Sequence, residues 1–183
     1  MAQNSSYVTV DGEFDSLEDR SFLTIDDYDL SGQNVILRID INSSINPENG
    51  DLLDDTRIKR HSATVKELSD KCARVIVLAH QSRPGKLDFV NLEKHGERMS
   101  QIINKEIKFI DDIYGKEAIK HINNIKDGEI ILLDNVRFDD EEIELSKFMN
   151  DNFDLQRRSK MVRKLSPQAS FFINDAFAAS HRC

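Results

Sequence analysis

The sequence predicts an α/β fold: a three-layer sandwich with a mostly parallel sheet and helices on both of its faces. Three observations predict it. Short β-branched runs alternate with stretches of helical apolar spacing. One of these runs, Ala73-Arg-Val-Ile-Val-Leu-Ala79, is apolar on both sides, as a central parallel strand must be. No internal repeat and no long linker interrupts residues 31–182, so the pattern belongs to one sheet.

The elements follow in order. Asn34-Val-Ile-Leu-Arg-Ile-Asp-Ile41 predicts the first strand. A turn rich in Asn, Pro, Gly and Asp (46–55) leads to apolar residues at Ile58, Val65, Leu68 and Cys72. That is helical spacing, with Asp54 or Asp55 as the cap. The strand 73–79 comes next. Leu92, Met99, Ile102 and Ile103 mark a second helix, and Ile107-Lys-Phe-Ile110 a short strand. Ala118, Ile119, Ile122 and Ile125 mark a third helix, stopped by Asp127-Gly128, and Ile130-Ile-Leu-Leu133 a fourth strand. An acidic helical stretch runs from Asp139 to about Asn150. A mixed region containing Arg157, Arg158, Arg163 and Lys164 then precedes the fifth strand, Ala169-Ser-Phe-Phe-Ile-Asn174.

Composition removes several classes. The 183 residues are 39% hydrophobic and 32% charged, enough for one core, and no apolar run reaches the roughly 18 residues of a spanning helix. The N-terminus lacks the basic flank and apolar run of a secretory signal. Cys72 and Cys183 make no disulfide framework, and Cys72, at the end of a helical pattern, reads as a buried free thiol. Reduced thiols without a signal sequence predict a cytoplasmic protein. The net charge of −8 is uneven: residues 1–30 hold eight acids against one base, and the rest is nearly neutral. A neutral body argues against nucleic acid as partner, because such binders carry a basic face. Residues 1–23 read as an acidic, flexible leader, and 24–183 as the folded domain.

In open parallel sheets ligands bind beyond the carboxyl ends of the strands, so the residues after each strand carry the functional expectation. The first strand runs into Asp40-Ile41-Asn42 and the second into His80-Gln81-Ser82-Arg83-Pro84-Gly85. The fourth runs into Asp134-Asn135-Val136-Arg137-Phe138, and the fifth into Asp175-Ala-Phe-Ala-Ala-Ser-His181-Arg182. Arg57 opens the first helix at the same edge. A lone strand-end arginine is ordinary surface chemistry. Three strand exits each delivering one, plus Arg57, call for an anion to offset their mutual repulsion. The expected ligand is a small, multiply charged anion.

Absent motifs narrow the class. Neither G-x-x-x-x-G-K-[ST] nor G-x-G-x-x-G occurs, and Pro84-Gly85-Lys86 is followed by Leu87. No H-E-x-x-H or Cys/His zinc spacing occurs. His61 and His121 read as helix-surface or packing residues, and Asp139-Asp-Glu-Glu142 as a solvated face.

Five segments in order carry a family resemblance: Val35-Ile-Leu-Arg-Ile-Asp-Ile-Asn42, Leu53-Asp-Asp-Thr-Arg57-Ile58, Leu78-Ala-His80-Gln-Ser-Arg83-Pro84-Gly85, Leu133-Asp-Asn-Val-Arg137-Phe138 and Asn174-Asp-Ala-Phe177 with His181-Arg182. Together they resemble the successive signatures of phosphoglycerate kinase, and Ala-His-Gln-Ser-Arg-Pro-Gly is similar to its archaeal branch. The resemblance implies a Rossmann-like N-terminal domain of a two-domain hinge kinase. That domain holds 3-phosphoglycerate or 1,3-bisphosphoglycerate in a basic pocket, while a C-terminal domain holds Mg-ATP or Mg-ADP. By position, Asp40 and Asn42 would meet the hydroxyl and carboxylate region of the substrate. His80 and Arg83 would hold the glycerate or its phosphate, and Arg137 and Arg182 would clamp the distal phosphate. Arg57 would be the catalytic arginine that stabilises the transferring phosphoryl group, and it would also count among the substrate-binding residues. Arg38 would support the pocket from beneath.

Two departures accompany the resemblance. The chain stops at Cys183, where the interdomain hinge is expected, so the nucleotide domain, its lysine, its glycine-rich loop and its Mg ligands would be absent. Asp134 stands where the family usually has Glu before Asn-Val-Arg. The chain alone is therefore expected to bind its acceptor as a monomer, with its own C-terminal domain as partner, and to turn nothing over. Two other readings stand beside this one. The first is a non-catalytic anion-binding module. The second is a haloacid-dehalogenase-like phosphatase using Asp40 with Ser82, although Asn42 in its general-acid position cannot donate a carboxyl proton.

Overall fold

The computed structural model describes residues 23–145 and 153–177. It contains five strands: β1 (Asn34–Arg38), β2 (Arg74–Leu78), β3 (Ile107–Ile110), β4 (Ile130–Leu133) and β5 (Phe171–Asn174). Six helices accompany them: α1 (Thr56–Asp70), α2 (Glu93–Ile103), α3 (Lys116–Asn124), α4 (Asp140–Leu145), α5 (Phe153–Arg157) and α6 (Lys160–Leu165). The sheet is wholly parallel in the order β3-β4-β2-β1-β5. Every strand exit therefore opens on the same edge.

Alternation along the strands builds two cores. Val35, Leu37, Val75, Val77, Ile130 and Leu132 face one side and pack on Ile58, Val65 and Leu68 of α1 and Met99 and Ile103 of α2. Ile36, Ile76, Leu78, Ile131 and Leu133 face the other, against Ala118 and Ile122 of α3 and Leu165 of α6. Period-2 strands buried on both sides need helices on both sides, and the expected three-layer sandwich is the result. A Cβ at Gly96 would stand 3.1 Å from Leu132 Cδ2, so glycine lets α2 lie close on β4.

The helix ends are fixed by local chemistry. Asp54 Oδ1 accepts from the Thr56 backbone N–H at 3.1 Å and its hydroxyl at 2.6 Å, and these bonds hold the Asp54 carboxyl below its usual range. Asp55 occupies the cap position but binds Lys59 and Arg98 instead. Asp112 caps α3 through the N–H groups of Gly115 (2.8 Å) and Ala118 (3.0 Å). Asn104, at φ +52°, ends α2 in the left-handed conformation.

Several sequence expectations change. β1 ends at Arg38, not Ile41, because the chain must leave the sheet to present Asp40 and Asn42 at its edge. Leu92 is the residue before α2, and α3 stops at Asn124. The region around Arg157 and Arg163 forms α5 and α6. Of the acidic stretch, α4 accounts for Asp140–Leu145, and residues 146–152 lie outside the described ones. Cys72 is exposed, contrary to expectation. The helix closes at Asp70, and the reversal into β2 puts Cys72 at φ +60°, which turns its thiol outward. The leader lies outside the described residues except Leu23, and the described structure opens on a capping box between Thr24 and Asp27. Among the described residues no helix is long and apolar enough to cross a membrane.

Candidate functional site

The carboxyl edge is assembled by the loops leaving β1, β2 and β4, with the first turn of α1 beside them. Beyond β1, Ile39 and Ile41 are buried and anchor the exit, while Asp40 and Asn42 alternate with them. Asp40 Oδ2 forms an ion pair with Arg57 Nη1, and Oδ1 accepts the Asn42 N–H at 3.2 Å. Asn42 Oδ1 accepts the Ser82 N–H at 2.9 Å, and the Ser82 carbonyl accepts from Arg137 Nη1. One chain of polar contacts thus joins Arg57, Asp40, Asn42, Ser82 and Arg137.

A second contact lies beside it. Arg38 Nη1 donates to the carbonyls of Ile39 and Leu78, both at 3.2 Å, and Nη2 lies 3.0 Å from His80 Nδ1. Guanidinium groups only donate, so His80 accepts at Nδ1 and carries its proton on Nε2. Arg38 is thereby bound into the strand ends, which suits a supporting position. Arg83 is exposed on a turn closed by the Lys86 N–H to its own carbonyl at 3.2 Å. Arg182, with His181, lies outside the described residues.

The loops are locked by two buried amides that the sequence did not mark. Gln81 Oε1 accepts from the Ser43 N–H (2.9 Å) and from His95 Nε2 (3.1 Å), and its Nε2 donates to the carbonyls of Ser43 (2.9 Å) and Asp88 (3.2 Å). Asn135 exchanges bonds with the Gln81 backbone, at 3.1 and 2.8 Å, and reaches the Val90 carbonyl at 3.0 Å. Both side chains are fully buried, so any group left unpaired would carry its whole desolvation penalty. Polar residues placed directly after apolar strands were the available signal. Ser82 sits at φ +55°, and its hydroxyl donates to Asp88 Oδ1 at 2.6 Å. Contacts at N, O and Oγ hold this left-handed residue in place.

Two arginines of the edge, Arg57 and Arg137, have carboxylate neighbours. Arg137 Nε lies 3.8 Å from Glu142 Oε2. Burial pushes the Glu142 carboxyl up, against the pull of Arg137 and Arg38. The acid run is thus only partly solvated: Asp140 is exposed, but Asp139 is buried and Glu142 is turned toward Arg137. Asp134 is buried as well. Its Oδ1 accepts the N–H groups of Asn135 (2.7 Å) and Leu92 (3.1 Å), so it ties the β4 exit to the start of α2. Burial nonetheless pushes its carboxyl up.

His61 and His121 both lie on helices. His61 is buried with Nδ1 2.8 Å from Asp175 Oδ2, to which the Thr64 hydroxyl also donates at 2.8 Å, so α1 is bound to the β5 exit. His121 is a half-buried residue of α3. An apolar cavity of about 210 Å³ lies beside β5, lined by Leu23, Ile25, Tyr28, Leu30 and Phe171 among others, away from the arginines.

Comparison with known proteins decides what this edge belongs to. The phosphoglycerate kinase family model matches residues 25–183. The chain belongs to the phosphoglycerate kinase family. A phosphoglycerate kinase of Methanothermobacter thermautotrophicus is 48% identical over 161 residues, covering 88% of this chain and 38% of that protein. One from Sulfurisphaera tokodaii is 44% identical over 164 residues, covering 90% and 38%. Among solved structures, the phosphoglycerate kinase of Pyrococcus horikoshii superimposes with a TM-score of 0.80 at 30% identity, covering 88% of this chain and 38% of that one. The chain is thus archaeal in type, as the segment that follows β2 suggested, and spans about 38% of the length of these curated phosphoglycerate kinases. Among the described residues, the five matched segments fall on the ends and exits of β1, β2, β4 and β5 and on the first turn of α1.

Proposed function

We propose that this chain is the acceptor-binding half of a phosphoglycerate kinase that transfers a phosphoryl group reversibly between 1,3-bisphosphoglycerate and ADP. The observation that carries the reading is the contact chain from Arg57 through Asp40, Asn42 and Ser82 to Arg137, with Arg38 and His80 beside it. It gathers cations, an amide and a carboxylate on one edge, matching an acceptor with a phosphate at one end and a carboxyl group at the other. Arg137, joined by Arg182, takes the distal phosphate. His80 and Arg83 hold the glycerate, and Asp40 and Asn42 orient its hydroxyl and carboxylate. In this reading the protein is a cytoplasmic monomer whose partner surface is its own nucleotide-binding domain.

In the kinase direction the carboxylate oxygen of 3-phosphoglycerate attacks the γ-phosphorus of ATP, and the bond from that phosphorus to the β-bridging oxygen breaks. ADP leaves. Such a step needs positioning and charge stabilisation more than covalent help from the protein. In this reading Arg57 stabilises that charge, an assignment supported by its 52% exposed side chain and by Asp40, which holds it at the edge. An arginine directed at the equatorial oxygens is worth about 10³-fold or more. The nucleotide and its Mg²⁺ are co-substrates of the family. Among the described residues no group of three or more His, Cys, Asp or Glu is arranged for a metal, and no nucleotide phosphate loop occurs in the sequence.

Calorimetric titration with 3-phosphoglycerate tests the reading, with circular dichroism confirming the fold. Saturable binding that weakens with salt, and weakens about tenfold or more in Arg137→Ala, is the expected result. A folded chain that ignores the ligand would refute it. A coupled assay is expected to show no nucleotide-dependent turnover by this chain alone.

A further inference from the structure

The arginines that would receive the ligand already have carboxylate neighbours. Arg57 is hydrogen-bonded to Asp40, a residue of the same site. Arg137 has a different kind of neighbour. Glu142, on α4, belongs to none of the matched segments, yet its Oε2 lies 3.8 Å from Arg137 Nε. That separation exceeds the roughly 2.7–3.2 Å of an N–H···O bond, so the attraction is charge on charge without a locking hydrogen bond. The Glu142 side chain is only 28% exposed, and its charge also feels Arg38. A partly desolvated carboxylate thus stands beside Arg137 and within the field of Arg38. Burying a charge in this way costs desolvation that a loose pair scarcely offsets.

The geometry points to Glu142 as an internal counter-ion that competes with the ligand's anionic group for Arg137 and so sets the affinity of the site. The inference rests on the reading of Arg137 as a ligand-binding arginine. Without ligand, Glu142 compensates the guanidinium. An arriving phosphate replaces it, forming the short charge-assisted bonds that Glu142 does not make. The affinity measured for an anion is therefore its attraction to Arg137 less the attraction Glu142 already supplies.

The test is titration of the whole chain with 3-phosphoglycerate and, separately, with inorganic phosphate. The forms compared are wild type, Glu142→Gln, Glu144→Gln and Arg137→Ala with and without Glu142→Gln. Glu142→Gln keeps shape and removes charge. It is expected to tighten both ligands about three- to tenfold, a gain that structural damage would not produce. Glu144 is exposed on the same helix, so Glu144→Gln removes the same net charge and should leave affinity unchanged. In the Arg137→Ala background the gain should vanish, as a pairwise coupling requires. Weaker or unchanged binding in Glu142→Gln would overturn the inference, and so would an equal gain in Glu144→Gln or a gain that survives loss of Arg137. Wild type that binds phosphate but not 3-phosphoglycerate would defeat the acceptor reading alone, and the Glu142→Gln ratio would still decide the competition. Failure of every form to bind either anion would overturn both.

Discussion

Asn42 Oδ1 accepts the backbone N–H of Ser82 at 2.9 Å, so a residue of the β1 exit fixes the loop that leaves β2. Ser82 in turn presents its carbonyl to Arg137. The orientation of an arginine on the β4 exit therefore depends on an amide two strands away. Ser82 is in the left-handed region, where a residue other than glycine stays only if its neighbours hold it.

Asn42→Ala should weaken 3-phosphoglycerate binding about tenfold and lower stability by about 1 kcal/mol, since a half-buried donor loses its partner. Asn42→Asp separates the two effects. It keeps the acceptor for Ser82, so urea denaturation should return close to wild type, but it adds a negative charge to an anion site. Wild-type affinity in Asn42→Asp would show that the position only fastens the loops.

Arg57 and Arg137 should differ in how they contribute. Arg57 is half exposed and paired with Asp40, whereas the Arg137 side chain is 23% exposed and fixed by Ser82. A group that acts on the transition state adds little to ground-state affinity. Arg57→Ala is thus expected to change the affinity of this chain for 3-phosphoglycerate by less than about threefold, against about tenfold or more for Arg137→Ala. Equal losses in the two variants would assign Arg57 to acceptor binding.

Much of this architecture was legible in the sequence because parallel strands leave a simple record. Val75, Ile76 and Val77 are apolar on both sides, and Asp40, His80 and Arg137 each fall just past such a run. Longer-range relations left no such record. Gln81 and Asn135 meet across 54 residues, and only the folded sheet makes them partners. Glu142 looks like a surface acid until the turn after β4 brings it to Arg137. Cys72 continues the apolar spacing of α1 although the helix has already ended, since side-chain periodicity carries no information on the backbone turn that follows.

That turn yields a stability prediction. Cys72 at φ +60° holds a Cβ in a conformation that disfavours one, and its side chain is exposed. Cys72→Gly removes the clash, offset in part by greater freedom of the unfolded chain. The expected net gain is about 0.5–1 kcal/mol, a rise of a few degrees in Tm. A lower Tm would show that the thiol makes a stabilising contact.

His95 contributes to the acid sensitivity of the fold. The side chain is fully buried in α2, and burial lowers its pKa from 6.5 to about 4. Gln81 Oε1 is an acceptor for Ser43 as well, so His95 donates from Nε2 and the ring is neutral. Well above pH 6.5 neither the native nor the unfolded chain protonates this ring, and stability does not depend on it. Between pH 6.5 and about 4 the unfolded chain takes up a proton that the native state excludes, so stability falls on acidification. Below about 4 both states are protonated and the slope from this residue disappears. The full difference amounts to about 3 kcal/mol. The raised carboxyls of Asp134 and Glu142 act in the opposite sense, because native states that hold their protons more tightly gain from acid. Comparison with a variant therefore isolates the histidine. His95→Gln retains a donor for Gln81 and cannot titrate. Urea melts from pH 7.5 to 4.5 should show its stability declining less steeply than wild type, with the two curves diverging below pH 6.5. Parallel curves would mean that the buried ring is not what acid attacks, and that the network behind the β2 exit admits a charged imidazole.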